Sequence, residues 1–195
     1  MKLGAGSLRL PLGLLFAIQA SGCKGEPTDT SGQFIAFAGS FNGFHGWNQA
    51  PATPTDKLTL PPGFVASDGG GFESDAGVHD TGPMTVYWNQ TPQSGSTEFP
   101  VKTIIVKETN ETDPTVRQIF AMVNRGADYN ASGAVNWEWF ELKNGADGAV
   151  SIVWRGYGPQ AGEQYGGNAH VCNDCHALAV SNDYVWVSAL QLSSL

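Results

Sequence analysis

Apolar and polar residues alternate with a period of two through several short runs of this chain, and long helical stripes are scarce. The clearest run is Val101 to Glu108. Val101, Thr103, Ile105 and Lys107 share one face, and Lys102, Ile104, Val106 and Glu108 the other. Met84 to Asn89 is a second run, ending before Pro92, and Val116 to Asn124 puts Val116, Gln118, Phe120 and Met122 on one side. Glycine-rich turns lead on to Asn136–Leu142 and Val150–Trp154. Five such runs with short connections predict a mainly β (α+β) fold: an antiparallel sheet of about five strands with a few short helices, as a meander or small open barrel.

Helical periodicity shows in one place. Phe34, Phe37, Phe41, Phe44 and Trp47 recur at three and four residues, as on one helix face, although Gly39, Gly43 and Gly46 weaken it. Residues 48–63 read as a loop, and Tyr157–Gly167 as a linker rich in glycine. Tyr184, Trp186 and Leu190 mark the last stretch as one that packs back on the domain. No internal repeat and no second domain is evident.

Composition agrees with a strand-and-turn protein. The 195 residues are 41% hydrophobic and 14% charged, with 25 glycines and 11 prolines. The formal charge is -8. Such acidity argues against nucleic acid or anionic lipid as partners, and would suit a basic redox partner protein.

Residues 1–22 read as an export signal. Lys2 and Arg9 precede an apolar stretch from Leu10 to Ala20 that is too short to span a bilayer. Ala20-Ser21-Gly22-Cys23 is similar to a bacterial lipobox, although Ala20 stands where leucine is usual. This predicts a diacylated Cys23, and ordinary cleavage nearby is the alternative. Residues 23–33 would then be a polar tether and 34–195 the folded domain, exported, periplasmic and touching the membrane only through lipid.

The strongest chemical signal is Cys172-Asn173-Asp174-Cys175-His176. Two thiols three residues apart on a helical turn can reach both vinyl groups of one porphyrin. The next residue then offers an imidazole to the iron, so Cys-x-x-Cys-His predicts one covalent haem c with His176 as proximal ligand. A zinc site of His170, Cys172, Cys175 and His176 would cramp four ligands into seven residues. A thioredoxin-like dithiol would need an alternating β/α context that this chain lacks. Cysteine usage fits the haem reading: one for lipid, two for haem, none left over.

The order of short motifs over residues 55–192 resembles the cytochrome P-460 family. They are Thr85-Val86-Tyr87, Phe99-Pro100 with Thr103-Ile104-Ile105-Val106-Lys107-Glu108, Met122-Val123, Asn136-Trp137, the haem motif, and Asn182-Asp183-Tyr184-Val185-Trp186. The resemblance implies a mono-haem c-type protein of mainly antiparallel β fold, usually a homodimer. In members that oxidise hydroxylamine, a lysine at the position of Lys107 bonds to a porphyrin meso carbon. From the pattern alone, Lys107 sits on an otherwise apolar face or snorkels from the strand end.

Two departures matter. Active members place an arginine where this chain has Met84, and a distal carboxylate where it has Phe120. The resemblance then implies an apolar distal pocket lined by Phe120 and Met84, similar to the beta-type cytochrome c-prime branch that binds gases. Three functions follow as expectations: binding of a small diatomic such as NO, oxidation of a hydroxylamine-like ligand, or electron transfer by a six-coordinate haem. The last would draw its sixth ligand from Met84, Met122, His45 or His79.

Overall fold

The computed structural model describes residues 32–52, 83–113, 117–145, 147–156 and 169–195. The export signal, Cys23, most of the tether, most of the loop from 48 to 63, His79, Val116 and the linker lie outside them. Among the described residues, no helix is long and apolar enough to cross a membrane.

Six strands follow one another in space as they do in sequence: β1 (Asn48–Ala52), β2 (Met84–Trp88), β3 (Ile104–Thr109), β4 (Ile119–Asn124), β5 (Trp137–Asn144) and β6 (Val150–Arg155). Every neighbouring pair is antiparallel. The fold is therefore mainly β, with six strands rather than about five. The additional strand is β1, in the stretch read as a loop. It lies at an edge, carries Pro51 and is mostly exposed, so it lacks the two-sided apolar pattern that betrays a central strand. The alternating run also starts later than its pattern suggests. Lys102 has φ 74° and Thr103 N–H bonds Pro100 O, so 101–103 turn and pairing begins at Ile104.

Both faces of the sheet are covered. One carries Ile104, Val106, Ile119, Ala121, Val123, Phe140 and Leu142, packed by Phe34, Phe41 and Phe44. Those phenylalanines do not come from one amphipathic helix. Gly43, at φ 73°, separates two 3-10 turns, Ala38–Phe41 and Phe44–Gly46, and Phe37 is left 41% exposed. On this face an ion cluster is sealed in: Glu138, 0% exposed, accepts from Arg155 Nε at 2.6 Å and from Arg125 Nη1 at 3.1 Å. Arg155 also donates to Ala36 O at 3.2 Å, tying the N-terminal segment down.

The opposite face carries Val86, Trp88, Ile105, Met122 and Trp139, packed by Val185, Leu190 and Leu192 from the C-terminal segment. Burying side chains such as Val185 and Leu190 contributes about 1.5–3 kcal/mol each. Asn182 stitches that segment together, donating to Val185 O at 2.7 Å and Leu190 O at 3.1 Å and accepting from Leu192 N at 2.7 Å. The helix α1 (Ala169–His176) brings both Cys172 and His176 to this same face.

Candidate functional site

The antiparallel register arranges the second face in cross-strand rows. Trp88, Ile105, Met122 and Trp139 are successive partners and are all buried. The adjacent row is Val86, Lys107, Phe120, Glu141 and Trp154. From Lys107 onward its members are only half-buried. Met84 lies a further row out, paired with Thr109, and is buried. The face thus grades from a sealed aromatic floor to a half-open strip.

The helix α1 stands against the sealed row. The His176 ring lies 4.5 Å, centroid to centroid, from the Trp139 indole. His176 Nδ1 donates to Tyr184 O at 2.5 Å. That bond fixes the tautomer, because Nδ1 must carry the proton and Nε2 is left with its lone pair. No hydrogen bond to Nε2 occurs among the described residues. Enclosure holds the imidazole neutral, lowering its pKa to about 4, with the Lys107 charge acting in the same direction. The carbonyl is aimed by an unusual turn: Asp183 and Tyr184 have φ 50° and 65°, both left-handed. Asp183 is in turn held by the Phe99 N–H at 2.8 Å.

Cys172 is half-buried and Cys175 buried, and neither forms a disulfide. Burial pushes the Cys175 thiol up to about 11, partly opposed by Lys107. The arrangement offers two reduced thiols and one neutral imidazole nitrogen within a single turn. A thiol can add across a vinyl group with no external oxidant, its sulfur to one carbon and its hydrogen to the other.

Of the expected site residues, Cys172, Cys175, His176 and Lys107 are brought together. The Lys107 ammonium acts on both Cys175 and His176, and lies 5.4 Å from the Phe120 ring centroid. Phe120 thus neighbours Lys107, and Met84 shares the face at a remove of one row. Met122 is on the sealed floor, as the direct cross-strand partner of Trp139. His45 is not there. It packs against Phe44 and Tyr87 on the other face, with Nε2 2.8 Å from Glu108 Oε2, so it is no candidate iron ligand. A glycine-flanked histidine looks available in sequence, but the sheet separates it from Cys175.

Two residues escaped the sequence reading. Glu141 is the direct cross-strand partner of Phe120, which puts a carboxylate on the face that seemed to lack one. Its position in β5 could have been found only by knowing the register. Asn173, an unremarkable spacer in the motif, is buried and accepts from Trp139 Nε1 at 2.9 Å and Asn130 Nδ2 at 2.7 Å. Among the described residues, no three His, Cys, Asp or Glu side chains converge as a metal-binding group.

No protein-family model, curated protein or solved structure matches this chain.

Proposed function

We propose that this chain is an exported mono-haem c-type cytochrome of the cytochrome P-460 type that binds or transforms a small nitrogen species, NO or hydroxylamine. The observation that carries the reading is the His176–Tyr184 bond inside a Cys-x-x-Cys-His turn. It leaves Nε2 as a donor beside two reduced thiols, which is the donor set that one covalent haem requires. Cys172 and Cys175 would hold the porphyrin and His176 its iron.

When bound, the haem supplies the redox and gas-binding chemistry. The chain's own residues shape what approaches. Phe120 presents an apolar ring that favours neutral ligands. Lys107, 5.4 Å from the Phe120 ring centroid and with a charge that reaches Cys175, supplies either a fixed positive charge or the amine for a porphyrin bond. Glu141 is the carboxylate on that face that could take a proton from a hydroxylamine-like ligand. Export and the lipid at Cys23 belong to the same proposal, because thioether attachment takes place outside the bacterial cytoplasm.

The absorption spectrum of the ferrous protein tests this reading. A high-spin spectrum that changes on adding NO supports an open iron. Sharp low-spin bands indifferent to NO would replace it with electron transfer, with Met84 or Met122 as sixth ligand, since both lie on the site face.

A further inference from the structure

We infer that Asn173 is a positioning residue for His176: its carboxamide latches the attachment turn to the β4–β5 loop and to Trp139, and so sets where the imidazole points. This role presupposes the haem c site proposed above.

The geometry is specific. Asn173 Oδ1 accepts three hydrogen bonds, from Asn130 Nδ2 at 2.7 Å, Trp139 Nε1 at 2.9 Å and the Ala134 N–H at 3.2 Å. Its Nδ2 donates to Asn130 Oδ1 at 3.1 Å. Asn173 is 6% exposed, so each of these groups depends on the others for satisfaction. Asn173 and His176 are three residues apart on α1 and share one of its faces. Both meet Trp139, whose N–H holds the carboxamide while its ring faces the imidazole. The indole is therefore the mechanical link between latch and ligand.

The receiving loop is built for this contact. Ala127, Asp128, Asn130 and Asn136 all have left-handed φ, between 52° and 72°. Asn130 Nδ2 also donates to Ala134 O and Trp137 O, each at 3.1 Å, which fixes the amide that meets Asn173. At Gly133 a Cβ would fall 2.2 Å from Asn173 Nδ2 and 2.7 Å from Asn130 Oδ1. Both neighbours are pinned by hydrogen bonds and cannot step aside, so glycine alone leaves room for the latch. A helix that needed only to present two thiols and an imidazole would require none of this.

The test uses the full chain, exported from a host competent for cytochrome maturation, with the iron–imidazole stretching band of the ferrous protein read by resonance Raman. Asn173→Ala should shift that band to lower frequency and broaden it. Trp139→Phe, which keeps a ring beside His176 but removes the N–H, should move it the same way by less. The double variant should go no further than Asn173→Ala. Val123→Ala, on the other face of the sheet, should lower the melting temperature and leave the band in place. If Asn173→Ala fails to accumulate, Trp139→Phe decides. An unmoved band in a red, loaded Asn173→Ala or Trp139→Phe protein would overturn the positioning role and leave the haem reading standing. A colourless parent protein would overturn both.

Discussion

The Nδ1 atom of His176 is bonded to the backbone oxygen of Tyr184, eight residues further along the chain. The tautomer of the imidazole is thus set by a backbone carbonyl rather than by a carboxylate. The carbonyl is aimed by two consecutive left-handed residues, and that turn is held by Asp183 on the Phe99 N–H. Left-handed backbone at two non-glycine residues costs of order 1 kcal/mol each, and Asn182's three buried bonds help to hold it.

Asp183 makes that turn sensitive to pH. Burial pushes its carboxyl from 3.8 to about 6, with Glu98 adding to the shift and the Phe99 bond opposing it. Between pH 4 and 6 the unfolded chain has lost this proton while the folded one keeps it, so stability falls as pH rises through that window. Asp183→Asn keeps an acceptor for Phe99 and tolerates the left-handed backbone. It should be more stable than the parent by about 1–2 kcal/mol at pH 7, with the difference vanishing below about pH 4. Urea unfolding at both pH values checks this, and a pH-independent difference would contradict it.

Glu138 bridges two guanidiniums where water cannot reach. Burial pushes its carboxyl up, and Arg155 and Arg125 pull it back. Glu138→Gln would strand both cations in the core and should cost about 3–5 kcal/mol in urea unfolding. A cost under about 1 kcal/mol would mean that the cluster relaxes to solvent.

Lys107 bears on both Cys175 and His176. If its amine is joined to the porphyrin, the parent's Soret band should stand far to the red, and Lys107→Ala should return it to the ordinary position. A red-shifted band that survives Lys107→Ala would remove the lysine from the site.

Glu141 separates two kinds of chemistry on one face. Glu141→Gln should lower any hydroxylamine oxidation by about 100-fold or more while leaving NO binding to the ferrous protein unchanged. Steady-state turnover and NO titration of the same preparation measure both. Unaltered turnover would exclude Glu141 as the proton acceptor.

What the sequence could reveal followed from where each signal is stored. The faces of β3 were legible because Ile105 and Lys107 alternate with Ile104, Val106 and Glu108, and a period of two survives any uncertainty about partners. The helical turn that carries Cys172, Cys175 and His176 was legible because its spacing is local. β1 was hidden because an edge strand has no need of an apolar pattern and tolerates Pro51. The phenylalanines from 34 to 44 matched helical spacing, yet Gly43 breaks the segment and leaves Phe37 in water. Glu141 and Asn173 gain their meaning from partners across strands or 43 residues away, at Asn130, and no local pattern records such pairings.

The most direct measurement is the intact mass of the exported protein, made in a host with cytochrome maturation, set beside Cys172→Ala/Cys175→Ala. A red parent carrying the mass of one haem that survives denaturation and acid–acetone extraction is expected, with a double variant that has lost it. A colourless parent of unmodified polypeptide mass, or a pigment that extraction removes, would contradict it.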